Sequence, residues 1–395
     1  MSGALEGLKI LDFSTLLPGP FATQYLSDMG ADVLRVVSGS RPDFVLDAPP
    51  FIPGTETSAV TAQLSRNKRL MTLNLKDPRS IEIVHRLVKK YDIVIEQFRP
   101  GVMAKFKLDY ESLKKVNPAI IYCSLTGYGQ TGPMKSRAGH DINYLAQAGV
   151  SSYSGKKEYG PGIFGMQVAD LAGGSANAII GILTAAIYRA ATGKGQHVDV
   201  SMTDGMMAYT GIYGASFLTD GVDVDLEGGL SYGASLYDYY KTKDGRYLAY
   251  GGLEPQFSAA FFTAINRPDL IPGGVAPENI DQVRKEVREI ILTKTLNEWM
   301  AVFDATDACV EPVKKFSEAF YGDLAREREM VVELPLPGGG TVKQVGCPIK
   351  FSESKPEFKS IGASIKSGTH TKTVCSELGY SADEIEAFEK TGLFS

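Results

Sequence analysis

Two side chains of this protein have the chemistry to move a proton on and off carbon. His140 lies in the run Gly139-His140-Asp141-Ile142-Asn143-Tyr144, and Asp170 in Val168-Ala169-Asp170-Leu171-Ala172-Gly173-Gly174. An imidazole is neutral near pH 7 and can accept a proton. A carboxyl group on the opposite face of the same carbon acid can deliver one, so the pair has the parts for inversion at a carbon bearing an acidic hydrogen. Asp170 is expected at the start of a long helix. Free main-chain N–H groups and the positive end of the macrodipole there favour an anion, either the carboxylate or an enolate oxygen. Gly173, Gly174, Ser175 and Ala176 are small enough to let a ligand approach the backbone. Alone, Asp170 reads as an ordinary acid at a helix start; His140 supplies its counterpart.

The elements that must hold this pair follow an alternating order. Residues 8–13 read as a strand, 20–29 as a helix closed by Gly30, and 33–37 as the next strand. A second unit runs from a strand over 71–75, through Asp77 as cap and Pro78 in the first helical turn, to a strand over 93–96. A helix over 109–116, a strand over 119–125, the helix from Asp170 to the stop at Gly193, and a strand over 197–202 complete the pattern. Alternation of this kind implies an α/β fold, a Rossmann-like parallel sheet covered by helices. From about 221 the chain turns Gly- and Tyr-rich with period-two runs, and the turn Lys243-Asp244-Gly245-Arg246 precedes one of them. The expected division is a large domain over 1–205, a smaller α+β domain over 225–330, and a C-terminal segment over 331–395. The Pro/Gly stretch 335–340 marks a hairpin or linker.

Composition limits the classes of function. At 395 residues the chain exceeds one ordinary core. Its 44% hydrophobic and 22% charged residues are globular values. A net charge of −5 argues against a general nucleic-acid-binding surface. The four cysteines, Cys123, Cys309, Cys347 and Cys375, lie far apart without metal-ligand spacing and read as reduced thiols. The first residues lack the basic and apolar blocks of a signal peptide. The apolar stretch Ala176 to Tyr188 is shorter than a bilayer span. A soluble, cytoplasmic protein that does not engage membranes is expected.

Several patterns have plainer explanations. Gly127-Tyr128-Gly129-Gln130-Thr131-Gly132 matches G-x-G-x-x-G, but Pro133 and an irregular stretch follow where a dinucleotide site needs a helix. It reads as a tight turn that carries the chain to His140. His85 falls on an apolar helix face, His197 on a sheet's polar side, and His370 in a loop. Arg66-Asn67-Lys68-Arg69, Lys76, Arg99, Lys105 and Lys107 form a basic set in an acidic chain. Such sets are usually solvated faces, but these sit at strand ends, where α/β sheets bind ligands, and that placement suits a polyphosphate ligand.

Together the motifs resemble those of CoA-transferase family III. The resemblance is carried by Leu8 to Phe13, Gly30-Ala31-Asp32-Val33, Arg99-Pro100-Gly101, Gly139 to Tyr144, Asp170 to Gly174, Gly193 to Gln196 and Leu378-Gly379-Tyr380-Ser381. Gly139 to Tyr144 and Leu253-Glu254-Pro255-Gln256-Phe257 are similar to the α-methylacyl-CoA racemases of that family in particular. The resemblance implies an acyl-CoA substrate, no metal, no cofactor beyond the CoA that is part of the substrate, and an interlocked homodimer with active sites between subunits. It implies proton transfer by His140 and Asp170, with Glu254 orienting the imidazole. It implies CoA contacts by Leu73, Asn74, Leu75, Lys76, Gln97, Phe98, Arg99, Pro100, Gly101 and Lys105, with Gly139, Asp141, Ile142, Asn143 and Tyr144 lining the thioester end. Racemases carry an arginine three residues past the position of Arg35; this chain has Ser38 there, and Arg41 is the residue expected to replace it. The rival on the same fold is a CoA-transferase in which Asp170 attacks the thioester and forms an anhydride. A non-catalytic CoA-binding protein and a nucleotide-dependent oxidoreductase are weaker alternatives.

Overall fold

Short apolar runs of the first half become strands because most are buried on both faces, as a parallel sheet requires. The computed structural model describes residues 3–40, 43–229, 233–271, 279–366 and 369–395. Two compact units emerge: 1–148, 164–210 and 325–395 form the first, 149–163 and 211–324 the second. The insertion 149–163 thus groups with 211–324 in the second unit.

The first unit is built on β1 (Lys9–Asp12), β2 (Asp32–Val37), β3 (Arg69–Thr72), β4 (Ile93–Glu96), β5 (Ile121–Thr126) and β6 (His197–Ser201). All pair in parallel in the order β3-β2-β1-β4-β5-β6. Leu11 lies level with both Leu34 and Val94, and Val94 with Tyr122, so these four share one face. That face packs with Val84 and Leu87 of α1 (Arg79–Leu87) and with Val374, Cys375 and Ile385 of the C-terminal helices. The C-terminal segment also closes the edge of β3: Leu70 N–H donates to His370 Nδ1 at 3.1 Å, and His370 N–H returns to Leu70 O at 2.7 Å. An edge left open would template pairing with another chain.

The expected helix over 109–116 is one turn, Tyr110–Leu113. The helix at Asp170 has two parts. Ala169–Ala176 is wound as a π-helix, and α2 (Asn177–Thr192) continues it as an α-helix. By length and composition this 24-residue run is long and apolar enough to cross a membrane, longer than the stretch counted in the sequence. Here Ala178, Ile182 and Ala185 are buried and the helix packs on β5 and β6. Val331–Pro335 and Thr341–Val345 pair as a hairpin, so the Pro/Gly stretch is its turn.

In the second unit Asp238–Lys241, Tyr247–Tyr250 and Val310–Pro312 form a three-stranded antiparallel sheet. Its core stacks Tyr250 on Phe261 at 4.0 Å and buries Trp299, whose indole N–H donates to Ile291 O at 2.7 Å.

The basic run before β3 is structural rather than a phosphate site. Arg66 is fully buried, donating through Nε to Asp28 Oδ1 at 2.8 Å and through its guanidinium to Val345 O. Lys68 is buried too, donating to Thr23 Oγ1 at 2.7 Å and Pro20 O at 2.9 Å, and burial lowers its ammonium to about 7. Arg69 pairs with Glu377. These residues enter β3 at its N-terminal end, whereas α/β sheets bind ligands at the other. Arg66→Met leaves Asp28 buried without its cation. Urea unfolding is expected to show a loss of about 3–5 kcal/mol, part of it restored by adding Asp28→Asn.

Candidate active site

Beyond β5 the glycine turn is held by neighbouring elements. Gly127 O accepts from Thr203 N–H at 3.1 Å and Thr203 Oγ1 at 2.7 Å, and Gln130 N–H donates to both carboxylate oxygens of Asp199, at 3.1 and 3.0 Å. A protein carboxylate therefore occupies the amide that a dinucleotide phosphate would need. Gly127 and Gly139 both lie against the Tyr144 ring, where any Cβ would come within 2.6 Å of it. Tyr144 in turn donates its hydroxyl to Gly139 O at 2.5 Å. The chain is thereby fixed just before His140.

His140 is the exposed residue before α3 (Asp141–Gln147). Its own N–H donates to Asn143 Oδ1 at 3.0 Å, a capping arrangement that fixes the helix start. Asp141, next in sequence, accepts the main-chain N–H of Asp170 on Oδ1 at 3.0 Å. That bond joins the His140 segment to the Asp170 segment. In the sequence the signal for this role is an acid in the first helical turn beside His140.

The Asp170 carboxyl is half-buried and pushed up to about 7, first by burial and then by the Asp141 charge. The expectation that the helix start favours an anion is therefore corrected. The Asp170 amide is committed to Asp141, so neither the carboxylate nor an enolate oxygen is held by it. On the other side of the residue, Ser175 Oγ donates to Asp170 O at 3.1 Å and to Pro18 O at 2.7 Å.

The glycines after Asp170 are also reassigned. A Cβ on Gly173 would meet Met202 O at 2.6 Å, and one on Gly205 would meet Gly173 O at 2.4 Å. Gly173 and Gly174 are buried against α4 (Met202–Tyr209), so they permit two helices to cross closely rather than a thioester to approach.

The remaining site residues fall in several places. Leu73 is fully buried and Leu75 and Phe98 pack on the core, so their side chains serve packing. Asn74 N–H donates to Leu393 O, and Asn74 Oδ1 accepts Lys76 N–H at 3.1 Å. Gln97 Oε1 accepts Gly19 N–H at 3.0 Å. Arg99 and Lys105 are exposed beyond the C-terminal end of β4, flanking Pro100 and the left-handed Gly101, φ 86°. Ile142 is exposed on α3. Ser38 hydrogen-bonds Ser40, and Arg41 lies outside the described residues. Glu254 belongs to the second unit, exposed at the start of the helix Pro255–Ala264. His197 bonds Ser124 Oγ at 3.0 Å and stacks on Tyr110, and His85 is half-buried on α1 with its pKa lowered by burial.

The model of CoA-transferase family III matches residues 5–362. The α-methylacyl-CoA racemase of Homo sapiens is 35% identical over 390 residues, covering 97% of this chain and 95% of that protein. The succinyl-CoA:glutarate CoA-transferase of Mus musculus is 32% identical over 398 residues, 98% of this chain and 90% of that protein. The solved structure of a CAIB/BAIF family protein from Brucella suis matches with a TM-score of 0.83 at 27% identity, over 96% of this chain and 100% of that one.

The Asp170 assignment has a thermodynamic signature. The folded state keeps a proton that the unfolded chain releases from its ordinary 3.8 upward, so the carboxyl penalises folding increasingly from about pH 4 to pH 7. Asp170→Asn carries no such charge. Its stability relative to wild type is expected to rise across that window, by on the order of a few kcal/mol, and to level off above it. A pH-independent difference in denaturation would rule the shift out.

Proposed function

This chain belongs to CoA-transferase family III, and from that premise we propose that it interconverts the (2R) and (2S) forms of 2-methylacyl-CoA thioesters. The reaction is a 1,1-proton transfer at C2 through an enolate. His140 and Asp170 are its two acid/base groups, one for each face of the carbon, and Glu254 fixes the imidazole tautomer. The observation that carries this reading is the Asp170 carboxyl itself, joined through Asp141 to the His140 segment and titrating at about 7. A general acid works best with a proton affinity near the operating pH. A carboxyl present in both forms near neutrality can deliver a proton to an enolate as the acid, and take one back in the reverse direction as its conjugate base.

The rival reaction needs the opposite charge state. In acyl transfer an ionised Asp170 attacks the thioester carbonyl, expels CoA thiolate and becomes a mixed anhydride. Relatives of both activities are similar to this chain; the raised Asp170 carboxyl and the presence of His140 support the racemase reading. CoA enters as part of the substrate, with Arg99 and Lys105 the exposed cations proposed for its phosphates and Leu73 to Lys76 and Gln97 to Gly101 contributing main chain and polar groups. No metal or further cofactor is required by this chemistry, and we place the protein in the cytoplasm.

We also propose a homodimer. Ile180, Ile187 and Tyr188 are exposed along α2 of the first unit. In the second unit the helix Gly211–Asp220 has no buried residue and exposes Ile212, Phe217 and Leu218. Apolar faces of this extent mark association surfaces, and a second copy is the occupant proposed here. Light scattering after gel filtration is expected to give twice the 42.6 kDa chain mass, and Ile187→Asp with Leu218→Asp to shift it toward the monomer. A monomeric wild type at micromolar concentration would overturn the dimer.

The decisive assay uses a single enantiomer of a 2-methylacyl-CoA in deuterated water without any acceptor acid. Deuterium should enter C2 as optical purity is lost, and His140→Ala should abolish both. Inertness there, with CoA exchange appearing once free carboxylates are added, would falsify the racemase in favour of the transferase.

A further inference from the structure

We propose that Asp141 is a positioning residue, whose carboxylate clamps the π-helical turn bearing Asp170 against the helix start bearing His140. The bond is the 3.0 Å contact from Asp170 N–H to Asp141 Oδ1, between residues far apart in sequence. Helix starts leave their first amides without an intrahelical partner, and Asp170 lies in the first turn of the π-helical segment, where Asp141 supplies an acceptor from outside. Its carbonyl is held separately by the fully buried Ser175, which is itself anchored to Pro18 O. Both main-chain polar groups of Asp170 are therefore fixed, and only its side chain is left to move. Asp141 directly follows His140, whose own amide is capped by Asn143, so one short stretch sets the position of both reacting groups.

The same contact places a second carboxylate beside Asp170. The charged and titratable neighbours of this region are Asp141 and Tyr144 on α3, Tyr128 in the glycine turn and Arg99 beyond β4. Of these, only Asp141 acts on Asp170 together with burial, and it raises the carboxyl. Asp141 Oδ1 is thus engaged by a protein amide. Its catalytic consequence rests on the racemase reading, whereas the clamp itself does not.

Two variants separate the bond from the charge. Asp141→Asn keeps an oxygen acceptor and removes the charge; Asp141→Ala removes both. Amide hydrogen exchange at Asp170 is expected to stay slow in Asp141→Asn and to accelerate at least tenfold in Asp141→Ala, with near-UV circular dichroism unchanged in the former. The Asp170 carboxyl, followed by 13C NMR with Asp170→Asn as subtraction control, is expected to titrate lower in Asp141→Asn than in wild type. Isotope exchange at C2 should fall in kcat for Asp141→Ala with KM little changed. The proposal is overturned if amide exchange and the Asp170 titration ignore both variants, or if the variants raise KM alone, as a ligand contact would. Absence of C2 exchange in the wild type would defeat the racemase reading only, since amide exchange and titration still decide the clamp.

Discussion

The arrangement depends on partly withdrawing one carboxyl from water without setting a cation against it. Among the described residues no buried lysine or arginine stands beside Asp170; its main-chain N–H is taken by Asp141, and its carboxyl feels burial plus a second negative charge. Both effects favour the protonated form. The resulting proton affinity suits acid/base work at carbon, and it costs folding stability at neutral pH. Strain of this sort persists only where the surroundings are over-determined, and here Ser175, Asn143 and Tyr144 supply that rigidity through hydrogen bonds to main-chain atoms.

The π-helical winding fits this economy. Such segments are rare and often accompany functional sites. Between Ala169 and Ala176 the chain carries Asp170 at one end and, a turn later, the paired glycines that allow α4 to cross at backbone contact distance. Bulkier residues at 173 or 205 would force the helices apart and displace the turn that holds Asp170. Packing and chemistry are thus specified by adjacent positions of one short sequence.

Charges elsewhere in the first unit are handled in the opposite manner. Arg66 with Asp28, and Lys68 with Thr23, Pro20 and the nearby Asp12, are compensated by direct partners and lie toward the start of β3. Exposed Arg99 and Lys105 follow the end of β4. The two groups look alike in sequence. A buried cation is tolerated only when paired, while an exposed one at the ligand end of a sheet is free to meet a phosphate, so their environments assign them different work.

Much of this was legible in the residues alone. Local apolar runs and turn chemistry were sufficient for the alternating strands and helices, because each element buries a pattern written in its own few residues, and the motifs around His140 and Asp170 indicated the family. The hairpin at 335–340 and the structural reading of His85 belong to the same class. What depended on residues distant in sequence was decided by tertiary structure. That Asp141 Oδ1 accepts the Asp170 amide is not legible in sequence; Gly173 and Gly174 look able to admit a ligand and serve a helix crossing; Arg66 and Lys68 suggest phosphate binding and are buried against Asp28 and Asp12, while Arg69 pairs with Glu377 at the surface. The reason is physical: the sequence specifies which groups can ionise or donate, but desolvation and partnership, which set their charge and availability, arise only when the folded chain brings remote segments together.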